Sequence, residues 1–303
     1  MTDLSEQPTA CGYAALIGAP NAGKSTLLNG LVGSKIAIVT HKVQTTRMRI
    51  TAIALEGAAQ IIFLDTPGIF APRRRLDRAM VEAAWSGAGD ADVAVLLVDA
   101  RKGITGEVEA ILKGLAEISR PVWLAINKID LVKKEQLLAL SGMLAARYDF
   151  ARTYMISALT GDGLDDLKTD LAAAMPAGPW LYPEDQIADL PQRLLAAEIT
   201  REKIFLRLHK ELPYASTVET ESWKVQKNGS IRIDQVIYVE RDSQKMIVLG
   251  KQGRTIKELG RLAREELSEI LDTPVHLFLF VKVRGKWGDD PERYRELGLD
   301  FPK

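Results

Sequence analysis

The chain has 303 residues, 47% of them hydrophobic, with 40 lysines and arginines balanced by 40 aspartates and glutamates. That length suits about two domains with buried cores, and zero net charge excludes a uniformly basic nucleic-acid coat, so any polyanion site has to be a local patch. The single cysteine, Cys11, rules out an internal disulfide or a multi-cysteine metal cage and fits a reducing cytosol.

Residues 1–6 carry acids and no apolar core, so they do not read as a secretory signal. The longest apolar stretches, around 93–98 and 275–283, fall well short of the ~20 residues that span a bilayer. Strands are predicted at 13–17, 50–55, 60–64, 93–98, 122–126 and 153–156, alternating with helices that start near Lys24, Leu76, Gly106, Val132 and Gly163. Such alternation marks a mostly parallel sheet covered by helices on both faces. Glu56-Gly57 between the second and third strands predicts a hairpin, and with it one antiparallel edge strand.

The turn after the first strand reads Gly18-Ala19-Pro20-Asn21-Ala22-Gly23-Lys24-Ser25 and leads into a helix. This is a phosphate loop: backbone N–H groups and a helix N-terminus cradle phosphates, the lysine reaches the β/γ oxygens and the serine hydroxyl binds Mg²⁺. Residues 40–48 form a polar stretch without an apolar face, and a threonine there can ligate Mg²⁺ beside a γ-phosphate; Thr46 is chosen, with Thr45 its rival. Asp65-Thr66-Pro67-Gly68 leaves the third strand facing the same loop. Asp65 is assigned to Mg²⁺ through water, and the Gly68 N–H to the γ-phosphate, so that the following segment registers whether that phosphate is present. On its own Asp65 would be a turn or cap residue. Asn127-Lys128-Ile129-Asp130 selects the base, because the Asp130 carboxylate can accept from the N1–H and 2-amino group of guanine, whereas adenine offers no such pair. Ser157-Ala158-Leu159 follows the last strand and could support the base through backbone N–H groups, with Leu159 packed nearby. The ligand is therefore GTP.

Three prolines and a glycine in residues 176–183 break both periodicities and mark a linker. An amphipathic helix over 191–210 follows, with Pro191 in its first turn, then strands at 217–226 and 231–240 around the hairpin signal Asn228-Gly229, a short strand at 246–249, a helix over 254–271 and a strand at 276–283. Gly250-Lys251-Gln252-Gly253 is a GxxG loop at the mouth of that helix, able to clamp single-stranded RNA. Arg254, Lys257, Arg261 and Arg264 recur at helical spacing and predict a basic stripe beside it, with Ile256, Leu259, Leu262, Ala263 and Leu267 on the core side. His41, His209 and His276 lack metal-ligand spacing, and packing suits Trp180, Trp223 and Trp287 better than base stacking. Arg73-Arg74-Arg75 fits an RNA or partner contact or a solvated run equally.

The five nucleotide motifs, in this order, resemble the translation-factor-related class of GTPases. Together with Thr26 after the phosphate loop, Gln44-Thr45-Thr46-Arg47 and a C-terminal KH-like unit, they resemble the bacterial Era-type GTPases over nearly the whole chain. The resemblance implies a Ras-like P-loop GTPase domain followed by an α+β type II KH domain. The expected boundaries are a tail over 1–12, the GTPase domain over 13–176, a linker over 177–190, the KH domain over 191–287 and a tail over 288–303. Hydrolysis by in-line attack of water is implied, with Lys24, Thr46 and Gly68 as the catalytic set and Mg²⁺ as cofactor. Ile69 stands where many small GTPases carry a water-orienting glutamine, so slow turnover is expected, raised by a partner or by K⁺ held by Asn21. The implied partners are GTP and GDP, 16S rRNA near its 3′ end, the 30S subunit and peripherally the inner membrane, the protein itself being a monomer. The alternative is a metabolic NTP-using enzyme with a small-molecule-binding second domain, which the lack of paired carboxylates or an activated nucleophile there disfavours.

Overall fold

A fully apolar strand has to be covered on both faces, and β1 (Ala10–Gly18) lies at the centre of the sheet where that is possible. The computed structural model describes residues 8–302 apart from positions 43, 44, 73, 210, 286, 288 and 289. Residues 1–6, Gln44 and Arg73 thus lie outside the described residues. After β1 come α1 (Lys24–Val32), β2 (Ile50–Glu56), β3 (Ala59–Asp65), α2 (Arg75–Asp90), β4 (Val93–Asp99), α3 (Gly106–Gly114), β5 (Val122–Asn127), α4 (Lys134–Ala145), β6 (Arg152–Ile156) and α5 (Leu164–Ala174). The strand order is β2-β3-β1-β4-β5-β6. β2 pairs antiparallel with β3 and every other pairing is parallel, as the hairpin signal predicted. Gly57 turns that hairpin at φ 56°, a conformation that favours glycine.

Alternation along the strands feeds two cores. Ala15, Ile17, Leu64, Leu96, Val98, Leu124 and Ile126 pack with Ala84 and Ala88 of α2, Ile111 of α3 and Leu140 of α4. The intervening residues Ala14 and Leu16 are buried on the other face, where α1 packs with α5 and both meet β2 and β3. Because the strands are parallel, their C-terminal ends line one edge, which brings Gly18, Asp65, Asp99 and Asn127 to the same rim.

Two compact units divide the chain: Met1–Ala37 with Thr46–Asp189 and Tyr294–Lys303, and Ile38–Thr45 with Leu190–Arg293. Three segments fall differently from the expected boundaries. The linker is pinned to the first unit: Gln60 accepts from the N–H groups of Leu181 at 2.9 Å and Tyr182 at 3.0 Å, and Trp180 Nε1 donates to the Ala58 carbonyl at 3.0 Å. Farther on, Ile53 donates to the Ile187 carbonyl at 2.9 Å and Asp189 to Thr51 at 3.0 Å, so the chain covers the exposed edge of β2. The expected C-terminal tail also packs here, with Tyr294 (0% exposed) and Leu299 against Ala79 and Met80 of α2 and against Phe70. The Arg75 guanidinium lies 5.0 Å over the Phe301 ring. The third segment, 38–45, is grouped with the second unit.

In the second unit α6 (Gln192–Arg207) precedes β7 (Ser216–Val225), β8 (Ile231–Val239), α7 (Asp242–Leu249), α8 (Arg254–Ile270) and β9 (Val275–Val283). β7 and β8 form the expected hairpin, with Gly229 at φ 82°, and β9 joins β8 in parallel. Leu259 of α8, Ile204 of α6 and Val248 of α7 share a core with Ile237 and Val281 of the sheet. The predicted strand at 246–249 is instead the end of α7. Its four apolar residues fit either element; the Gln244 side chain decides, accepting from the N–H groups of Glu240 at 2.9 Å and Arg241 at 3.0 Å to start a helix that Gly250 ends at φ 71°. Of the four only Val248 is buried, while Met246 and Ile247 are 66% and 55% exposed. The three tryptophans pack: Trp223 beside the α6 core, and Trp287 with Nε1 donating to the Ala215 carbonyl at 3.2 Å.

Candidate nucleotide and RNA sites

The phosphate loop and the Asn127-Lys128 motif are knitted into one structure. Gly23 caps α1 in the left-handed region at φ 105°, and a Cβ there would stand 2.2 Å from Asn127 Nδ2. The close approach is used: Asn127 Nδ2 donates to the Ala22 carbonyl at 2.8 Å, while its Oδ1 accepts from the N–H groups of Lys128 at 2.8 Å and Ala158 at 2.9 Å. Lys128 Nζ donates to the Asn21 carbonyl at 2.6 Å and to Asp99 Oδ2 at 2.7 Å. Asp99 is a site residue that sequence reasoning missed, its one signal being a carboxylate at a strand end on the rim. Burial opposes its charge, but hydrogen bonds and charges from Arg101 and Lys128 outweigh that and hold its carboxyl at about 2. At the base end the Ser157 hydroxyl donates to Asp130 Oδ1 at 2.6 Å, which fixes the carboxylate. Leu159 is 80% exposed.

At the other end of the loop, Lys24 folds back, donating to the carbonyls of Gly18 at 3.1 Å and Ala19 at 3.2 Å. Burial pushes its ammonium down to about 8 against the pull of Asp65, and burial pushes Asp65 up to about 6 against Lys24 and the hydroxyls of Ser25 and Thr46. Ser25 Oγ donates to Asp65 Oδ2 at 2.9 Å and lies 2.9 Å from Thr46 Oγ1. The rival Thr45 turns elsewhere, its Oγ1 at 2.6 Å from Thr40 Oγ1 and donating to the Lys42 carbonyl at 2.8 Å. Asp65 Oδ1 is buried without a hydrogen-bond partner. Two hydroxyls and an orphaned carboxylate oxygen suit a hard divalent cation with oxygen ligands. No cluster of three or more His, Cys, Asp or Glu occurs among the described residues, so such a cation needs phosphate and water to complete its shell.

The sensor segment is threaded tightly past the loop. Thr66 Oγ1 donates to the Leu16 carbonyl at 2.9 Å, and Pro67 is buried. A Cβ at Gly68 would stand 3.0 Å from Pro20, and the Ile69 N–H donates to the Gly18 carbonyl at 3.1 Å. The Ile69 side chain is 5% exposed and belongs to the core beneath α2 and α3, so of this residue only the backbone is available to bind GTP. Thr26, next to Ser25, is half-buried in the first turn of α1.

In the second unit, the GxxG loop has the backbone that the motif requires: Gly250 at φ 71°, Gln252 at φ 55° and Gly253 at φ 73°. Lys251 and Gln252 are exposed, as are Arg254 and Lys257. The basic stripe is less basic than its spacing predicted. Arg261 bridges Glu258 at 2.9 Å and Glu265 at 2.7 Å, and Arg207 also reaches Glu258 at 3.2 Å. The helical period that aligns the arginines also sets these glutamates three and four residues away. Arg254, Lys257 and Arg264 make no ion pair among the described residues.

Residues 13–128 match the family model of the 50S ribosome-binding GTPases, and residues 211–288 that of the KH domain. Along 296 residues the chain is 65% identical to GTPase Era of Rhizobium meliloti (strain 1021), covering 98% of this chain and 95% of the relative. The chain belongs to the Era family of GTPases. It is 64% identical to GTPase Era of Afipia carboxidovorans, covering 100% of this chain and 98% of that one. Among solved structures it is similar, at 40% identity and a TM-score of 0.91, to Era in complex with MgGDPNP and nucleotides 1506–1542 of 16S ribosomal RNA, over 96% of this chain and 99% of the other. An Era variant from Aquifex aeolicus bound to GDP.AlF4- matches at 40% identity with a TM-score of 0.90 over the same shares. The chain therefore carries the GTPase domain of the Era family and, in its second unit, a KH domain.

Proposed function

We propose that this GTPase is a slowly turning-over switch that binds 16S rRNA near its 3′ end and assists assembly of the 30S subunit. The GTPase domain is assigned to 13–176 and the KH domain to 191–287. The observation that carries this reading is the presence, in one chain, of a guanine-selecting phosphate-loop site and a GxxG loop with left-handed backbone. Ile69 supports slow turnover, since its buried side chain cannot orient water. Gly18–Ser25 cradle the phosphates and Asn127 and Lys128 brace that loop, while Asp130 reads guanine with backbone support from residues 157–159. Lys24 meets the β/γ oxygens; Ser25 and Thr46 hold Mg²⁺ directly, Asp65 through water, and Gly68 donates to the γ-phosphate. Magnesium, when bound, neutralises phosphate charge. Gly250–Gly253, Arg254 and Lys257 hold RNA.

A gel shift with a 3′ fragment of 16S rRNA tests the reading. Binding is expected to tighten with a non-hydrolysable GTP analogue, and RNA affinity that ignores the nucleotide would overturn it. Potassium is assigned to Asn21, which stands in the left-handed region at φ 63°; hydrolysis is expected to be faster in KCl than in NaCl and to lose that difference in Asn21→Asp. We place the protein in the cytosol as a monomer. No helix among the described residues is long and apolar enough to cross a membrane.

A further inference from the structure

Residues 294–302, all of them in the first unit, fold into a hook on α2. Gly298 makes the turn, left-handed at φ 64°: its N–H donates to the Arg295 carbonyl at 3.0 Å, and the Leu299 N–H donates to the Tyr294 carbonyl at 2.7 Å. That pair of bonds sets Leu299 beside Tyr294 and reverses the chain. Phe301 then meets the Tyr294 ring edge to face, with 4.8 Å between centroids, while the Arg75 guanidinium lies 5.0 Å over the Phe301 ring. Tyr294 and Leu299 are buried with Ala79 and Met80 of α2 in an apolar cluster separate from the core beneath α2 and α3. One member of this cluster belongs to neither the helix nor the hook. Phe70, two residues past Gly68, packs against it, partly buried. Its neighbour Ile69 is buried in the other core, and the Ile69 N–H donates to the Gly18 carbonyl at 3.1 Å. Consecutive side chains of the sensor segment are thus anchored in two different clusters. Ordering a free backbone costs affinity, and a segment anchored beforehand avoids part of that cost.

We infer that this hook positions the γ-phosphate sensor: Tyr294, Leu299 and Phe301 hold Phe70, and through it they keep the Gly68 N–H oriented for the γ-phosphate. They are positioning residues, and they raise the preference for GTP over GDP, because the diphosphate makes no use of that N–H. The inference rests on the assignment of Gly68 to the γ-phosphate. A hook that served stability alone would lower the melting temperature and leave the ratio of the two affinities unchanged.

The test measures affinities for GDP and a non-hydrolysable GTP analogue at saturating Mg²⁺ in the full chain, with thermal melting alongside and Gly68 amide exchange followed by NMR in both nucleotide states. Phe301→Ala and Leu299→Ala are each expected to weaken the analogue about fivefold, the lower end of typical coupling, and to leave GDP within about twofold. Phe301→Tyr keeps the ring and is expected to keep the parental ratio. Phe301 is only partly buried, so Phe301→Ala decides the matter if Leu299→Ala fails to fold. Equal shifts for both nucleotides, or no shift, in folded Phe301→Ala overturn the inference. Amide exchange separates the two layers. If the analogue slows Gly68 exchange relative to GDP in the parent while Phe301→Ala leaves the affinity ratio unchanged, the inference alone fails; if the parent shows no such slowing, the assignment of Gly68 fails and the inference falls with it.

Discussion

At Gly23 one hydrogen atom separates a working loop from a blocked one. A methyl group would meet Asn127 Nδ2 at 2.2 Å and would hold a side chain at φ 105°. Backbone strain of ~1–3 kcal/mol together with loss of the Asn127 bond to Ala22 is expected to lower affinity for GDP and GTP alike by at least about tenfold in Gly23→Ala, as read by fluorescent-nucleotide titration. Asp99 acts from the side of the same site. Its carboxyl is lowered from 3.8 to about 2, so its interactions stabilise the fold above the unfolded value and are lost as pH falls from about 4 to about 2. Asp99→Asn is therefore expected to flatten acid unfolding in that window. It should also weaken GDP and GTP equally, by about tenfold for one charged hydrogen bond, because Lys128 then loses its anchor away from the γ-phosphate.

Elements were legible where pattern and chemistry agreed. All six strands of the first sheet stand where apolar runs predicted, because turn signals and helical stretches bound runs of strand length. The segment at 246–249 failed for the opposite reason: four apolar residues carry no period, and the deciding group was the Gln244 amide upstream. The convergence of Ser25, Thr46 and Asp65 followed from motif spacing, and the hydroxyl positions add that Thr46 faces Ser25 while Thr45 faces Thr40. Asp99 was illegible because its pairing with Lys128, 29 residues away, is made by the fold and leaves no mark on local spacing. The GxxG loop can be tested without disturbing the fold. A Cβ at Gly253 meets nothing within 4 Å, and aspartate tolerates left-handed backbone better than most residues, so Gly253→Asp is expected to melt only slightly below the parent while losing RNA affinity through its charge. Lys257→Ala should lower the salt dependence of RNA binding by about one unit of slope, and Arg261→Ala should leave it unchanged, since Glu258 and Glu265 already occupy that guanidinium.

At the scale of the whole molecule, any link between GTP and RNA affinities has to run in both directions. If the analogue tightens RNA by some factor, RNA tightens the analogue by the same factor, and equilibrium titrations in the two orders are expected to agree. The route by which chain segments cross between the two units has a further result, in time. Met80 of α2 is covered by Tyr294 and Leu299, which follow it by roughly two hundred residues. At about 5–20 residues per second, synthesis takes on the order of 10–40 s to bridge that interval. For the later part of that period, once β6 has been made, the nascent sheet and phosphate loop are complete while one apolar side of α2 is still bare. The emerging chain is thus open to chaperones or early proteolysis there until its last turns arrive.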